Sequence, residues 1–180
     1  DAVYELWVSS ANESHTEMDL FIEGGPLANG RYRFEATVAL TDHSGNALDG
    51  DGDGESGDAY VRNFTVTLPP GYVLENGSND ARSAATFLPL GEEPAGSGYQ
   101  LGRGLGSIQP SSDEDWWSFE ALAGDVVSVS MNTPWSTFDP YVYLYDADGE
   151  RLSSNADDGP GHDAFISHYP IANSGRYFVC

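Results

Sequence analysis

Hydrophobic and polar residues alternate with a period of two along much of this chain, and helical periodicity is almost absent. From Arg31 to Leu40, the residues Tyr32, Phe34, Ala36, Val38 and Leu40 alternate with Arg31, Arg33, Glu35, Thr37 and Ala39. Successive side chains on a strand point to opposite faces, so this run predicts a strand with one buried face. Tyr4, Leu6 and Val8 alternate likewise, as do Phe64, Val66 and Leu68. A second set of predicted strands covers Trp116 to Phe119, Val126 to Met131, Tyr141 to Tyr145, Ala164 to His168 and Arg176 to Cys180. Gly, Asn, Asp and Pro punctuate these runs at short intervals, which points to an all-β fold. Tandem proline and glycine at Pro69-Pro70-Gly71 stop a strand and turn the chain. Two consecutive β-sandwich modules are expected, 1–69 and 70–180.

Charge narrows the partners. The 180 residues carry a formal charge of −22, from 29 acidic against 7 basic residues. Every basic residue is an arginine, so lysine-based isopeptide crosslinks are chemically impossible. A surface this negative repels nucleic acid and attracts divalent cations, and it also suits life in salty water. Aromatics at 12% set the chain apart from a disordered acidic tail. The single Cys180 excludes an internal disulfide, which leaves metal ions as the available staple. No apolar run is long enough to span a membrane. The chain opens on Asp1 and stops in a strand-like run, so it is expected to be a piece of a longer polypeptide, with neighbouring domains as its first partners.

The densest candidate chemistry lies at Leu48-Asp49-Gly50-Asp51-Gly52-Asp53-Gly54-Glu55-Ser56-Gly57-Asp58. Carboxylates packed this closely repel one another unless a cation sits among them, and glycines let the backbone curl tightly. Asp49, Asp51, Asp53 and Gly54 follow the calcium-loop spacing D-x-D-x-D-G, but Tyr60 stands where a bidentate glutamate would close an EF-hand. Asp58, or an oxygen of Asn46 or Asp42, must then close the shell. Calcium is the expected cofactor, with Asp49, Asp51, Asp53, Glu55 and Asp58 as candidate ligands. The plainer reading is a solvated acidic hairpin tip.

From residue 71 onward the chain resembles a known family. The segments Asp113-Glu114-Asp115-Trp116-Trp117-Ser118-Phe119, Ala123-Gly124-Asp125, Asp139-Pro140-Tyr141-Val142-Tyr143-Leu144-Tyr145-Asp146-Ala147-Asp148-Gly149 and Ser174-Gly175-Arg176-Tyr177-Phe178-Val179 are similar, in order and spacing, to the bacterial pre-peptidase C-terminal domain. The resemblance implies a secreted, non-catalytic, jelly-roll-like β-sandwich carried beside peptidases or in large surface proteins. It also implies a calcium site between a segment before the first strand and an acidic stretch entering a later one. Glu75, Asn79 and Asp80 match the first part, and Asp113 and Asp115 the second. Residues 29–68, with the D-x-x-GN-x-LDGDGDG hairpin, look like part of a bacterial immunoglobulin-like repeat whose first strands are incomplete.

The remaining candidates are weaker. His15, His43, His162 and His168 show no zinc spacing. Ser56 sits inside an acidic loop where a nucleophile gains no activation, so no enzyme activity is expected. Asp157-Asp158-Gly159-Pro160-Gly161-His162-Asp163 is either a solvated turn or another ion site. With Val142 and Leu144 in the core, Tyr141, Tyr143 and Tyr145 line one outer face, either covered by a neighbour or open to ligand. Trp135 is a further candidate contact. The expected role is a calcium-stiffened structural or adhesive segment of an extracellular or cell-surface bacterial protein, able to self-associate into fibres. The alternative is an accessory module that binds collagen or polysaccharide for a secreted hydrolase. Neither involves nucleic acid or membrane insertion.

Overall fold

The structure is a computed structural model that describes residues 2–10, 17–108, 112–134 and 138–180. Apart from a 3-10 turn at Arg82–Ala84, its regular elements are strands, as the alternation predicts. Contacts group the chain into two units, Leu27–Pro70 and a second made of Asp1–Pro26 with Gly71–Cys180.

In the larger unit, β1 (Leu6–Ser10) and β2 (Met18–Ile22) form an antiparallel hairpin. Leu6, Trp7, Val8, Met18, Leu20 and Phe21 all remain exposed on it. The smaller unit is built on β3 (Gly30–Ala36) and β4 (Tyr60–Val66), paired antiparallel from Gly30↔Val66 to Ala36↔Tyr60. Strand β3 ends earlier than its alternation predicts, because Leu40 N–H bonds back to Thr37 O at 3.0 Å and turns the chain. Tyr32 stacks on Phe64 across the pair at 5.6 Å, a contact of the kind that holds two-stranded sheets together.

The main core lies beyond residue 71. Strands β5 (Tyr72–Leu74), β6 (Thr86–Phe87), β7 (Gly91–Glu92), β8 (Gln100–Leu101) and β9 (Arg103–Leu105) are short, with β5 parallel to β9 and β7 antiparallel to β8. They precede β10 (Trp117–Ala121), β11 (Val126–Met131), β12 (Val142–Tyr145), β13 (Arg151–Asn155), β14 (Ala164–Pro170) and β15 (Gly175–Val179). A five-stranded sheet runs β13-β12-β15-β10-β6, and β11 pairs with β14 in a two-stranded sheet. Phe119, Ala121, Val142, Leu144 and Tyr177 of the first meet Ala164 and Ile166 of the second, forming a sandwich core. Leu144 and Val142 are fully buried, each contributing about 1.5–3 kcal/mol by leaving water.

Two motif acids of the larger unit, Asp125 and Asp146, are spent on turns. Asp125 Oδ2 accepts from Leu122 N–H at 2.8 Å, with Gly124 at φ 94 completing the bend between β10 and β11. Asp146 Oδ1 likewise accepts from Asp148 and Glu150 N–H in the β12–β13 hairpin. Strand β13 escapes the pattern reading because Arg-Leu-Ser-Ser-Asn offers a single apolar residue.

Candidate metal centre

The acidic loop between β3 and β4 is closed at its base by Gly57 N–H bonding Leu48 O at 2.8 Å. Inside it, the carboxylates organise the backbone. Asp49 accepts from Gly52 and Gly54 N–H at 2.8 and 3.0 Å, and Asp53 accepts from Glu55 N–H at 2.8 Å. Asp58 reaches back across the loop to take Gly50 and Asp51 N–H at 2.6 and 3.0 Å. Gly50 is required by close approach, since a Cβ there would collide with the Ala59 carbonyl carbon and the Tyr60 nitrogen. Gly52 and Gly54 are required by backbone, with φ of 78° and 94°.

The outcome is that one carboxylate oxygen from each of Asp49, Asp51, Asp53 and Asp58 lies within 4.8 Å of the others. Glu55 is not in that group. Asp42 and Asn46 bond each other instead, Nδ2 to Oδ2 at 2.8 Å, in their own turn. That pairing, led by the Asn46 side chain, lowers the Asp42 pKa. Of the three candidates to close the shell, Asp58 is the one placed to do so. Such an all-oxygen, largely exposed set fits a hard divalent cation with room left for water.

A second acidic cluster forms within the larger unit. Glu75, just after β5, donates its backbone N–H to Leu105 O at 3.1 Å. Its carboxylate meets that of Asp115 over Gly106, where any Cβ would strike both Asp115 Oδ2 and Glu75 Oε2. A Cβ on Gly25 would strike Glu75 Oε1, so both of its oxygens lie against glycine backbone. Glu75 Oε2 is buried without a hydrogen-bond donor. Burial first, then the facing Asp115, pushes the Glu75 pKa up to about 8. Burial also raises Asp115, helped by the charges of Asp113 and Asp80 and opposed by hydrogen bonds. Asn79, 1% exposed, locks the two stretches together: its carbonyl accepts Trp116 N–H at 2.9 Å, and its Nδ2 donates to Trp116 O at 3.3 Å. Two apposed acceptors need a shared proton or a cation between them. An orphaned buried oxygen is the signature that a cation ligand would leave here.

Tyr141, just before β12, and Tyr143 and Tyr145 within it form a row of rings. Tyr141 and Tyr143 lie 4.7 Å apart, Tyr143 and Tyr145 6.1 Å, and Trp116 extends the row 5.1 Å from Tyr145. Arg151 sits over Tyr143 at 5.6 Å, and Tyr141 stays 50% exposed at the open end. Rings at 4.7 Å with planes 29° apart cover each other's faces, so edges and hydroxyls form much of this surface. Trp116 and Arg151 were not foreseen as members of the row. The adjacent Trp117 points to Gly104 instead, and the opposed directions of neighbouring strand residues are the available signal for telling them apart. Trp135, like His15, lies outside the described residues.

Comparison with known families bears on one part of the chain. Residues 113–180 match the bacterial pre-peptidase C-terminal domain. Domains of this family occur in secreted bacterial proteins, often with peptidases, and are non-catalytic and often accessory. No curated protein matches the chain. The matched segment holds Asp113, Asp115 and the tyrosine row, while Glu75, Asn79, Asp80 and the loop acids precede it. Among the described residues no helix is long and apolar enough to cross a membrane.

Proposed function

We propose that this chain is a non-catalytic, calcium-stabilised segment of a large secreted or cell-surface bacterial protein, with a structural or adhesive role. The observation that carries this reading is the gathering of Asp49, Asp51, Asp53 and Asp58 around one small volume. An isolated two-stranded hairpin is marginal in water, and β3–β4 is a two-stranded sheet. A calcium ion in the connecting loop would tie its strands at the open end. Glu75, Asp113 and Asp115, with Asn79 and Asp80 beside them, would hold a second ion in the larger unit. There the ion replaces a shared proton and relieves the apposed carboxylates. Neighbouring domains, or further copies in a fibre, are the partners this role requires.

Thermal unfolding in EDTA and in millimolar calcium tests the reading. A strong rise in melting temperature supports it, and equal values would falsify it. The row Tyr141-Tyr143-Tyr145-Trp116 favours a second reading, an accessory module that binds collagen-like or polysaccharide polymer. Binding to such a polymer that disappears in Tyr141→Ala would favour that role over a purely structural one.

A further inference from the structure

Asn-Gly occurs at Asn29-Gly30 and at Asn76-Gly77, and the two settings differ. Gly30 is a member of the β3–β4 ladder opposite Val66, and Asn29 Oδ1 accepts Leu68 N–H at 2.5 Å. Gly77 lies instead in an exposed turn with φ 66. A Cβ at this position would press on Gly24 O at 3.1 Å, so the backbone itself demands glycine. The Asn76 side chain folds back over the same turn. Its Oδ1 accepts from Ser78 N–H at 3.0 Å and from Ser78 Oγ at 3.4 Å, while Nδ2 donates to Ala84 O at 3.1 Å.

We propose that Asn76 is a site of spontaneous deamidation, with the Gly77 amide nitrogen as the intramolecular nucleophile. As Gly77 N bonds to Asn76 Cγ, it gives up its proton to solvent base. Negative charge develops on Oδ1, where the two Ser78 donors stabilise it in the manner of an oxyanion hole. The Cγ–Nδ2 bond then breaks, and the nitrogen leaves as ammonia after taking a proton from solvent. The product is a five-membered succinimide within an intact chain. Water adds to either ring carbonyl and opens it to aspartate or isoaspartate. One water is consumed, one ammonia is released, and nothing is oxidised or reduced. Glycine favours the attack because no side chain shields its nitrogen.

The consequence lies next door. Deamidation puts a new carboxylate beside Glu75, and the isoaspartate form adds a methylene to the backbone leading to Asn79. Any effect on ion binding rests on the calcium reading above, but the chemistry does not.

The test is to incubate the whole chain at mildly alkaline pH and follow the one-dalton mass gain. Cleavage after arginine separates Asn29, in 1–31, from Asn76, in 63–82. Synthetic peptides of the same two segments give each site's unfolded rate. Folding is expected to slow Asn29 severalfold and to leave Asn76 as fast as its peptide or faster. Asn76→Gln, which would need a six-membered ring, should abolish the gain in 63–82. Equal protection of both sites by folding, or a gain in 63–82 that survives Asn76→Gln, would overturn the proposal. Neither result depends on calcium.

Discussion

The exposed loop and the half-buried pair answer the same problem, acids held close together, in opposite ways. In the loop, backbone N–H groups of Gly50, Asp51, Gly52, Gly54 and Glu55 point at the carboxylates, and water reaches most of them. Glu75 and Asp115 instead press against glycine backbone with few donors, so burial and mutual repulsion push Glu75 up to about 8. One site is held by hydrogen bonds from its own backbone, and the other is left in debt to a proton or an ion. The difference teaches that carboxylate density alone does not set electrostatic strain; desolvation does.

The largest effect expected is calcium itself. An ion that binds only the folded state stabilises it by about 2.7 kcal/mol at a hundred times its Kd. Scanning calorimetry of Asp49→Asn with Asp58→Asn should lose most of the calcium-dependent rise. A rise that survives in this double variant would move the dominant ion to Glu75 and Asp115 and reverse the ranking of the sites.

Two alanine substitutions separate packing from backbone strain. Gly106→Ala should cost about 1 kcal/mol in urea unfolding, because its Cβ must push aside the carboxylate ends of Asp115 and Glu75. Gly52→Ala meets nothing within 4 Å, so its cost is the positive φ alone, about 1–2 kcal/mol. If Gly106→Ala proved neutral, the two carboxylates would be free to move apart rather than held over this glycine.

The pH dependence is smaller, since Glu75 keeps part of its solvent. Its folded pKa of about 8 stands above the ordinary 4.5, so the folded state binds the extra proton between those values. Without calcium, this group's contribution to stability therefore falls as pH rises from about 4.5 to about 8. Glu75→Gln should flatten that slope, and calcium should flatten or reverse it in the unaltered chain. An unchanged slope in Glu75→Gln would assign the titration elsewhere. The smallest effect concerns salt. Without calcium, added monovalent salt should stabilise the loop's unit slightly by screening its exposed charges, and should hardly affect the Glu75–Asp115 pair.

The loop was legible because its acids lie within ten residues and its glycines mark the turns. Glu75 and Asp115 are forty residues apart, and only family resemblance drew them together. Gly106 gave no sign, since a close approach has no periodicity. Strand β12 was readable down to its faces, as buried Val142 and Leu144 alternate with tyrosines. The short strands from β5 to β9 were missed because two or three residues cannot establish an alternation. Their polar neighbours come into register only when the partner strand is in place.

Strand β6 and Asn79 both precede residue 113, where the family match begins. Yet Thr86 N–H bonds Trp116 O at 2.8 Å, and β6 runs parallel to β10 as an edge of the central sheet. The ancestral unit marked by resemblance and the cooperative unit marked by hydrogen bonds thus have different borders. Anyone cutting this gene into pieces at the family border would expose the flank of β10 and discard the amide that seals it. A cut ahead of Tyr72 keeps both, by carrying along the residues that precede the family match.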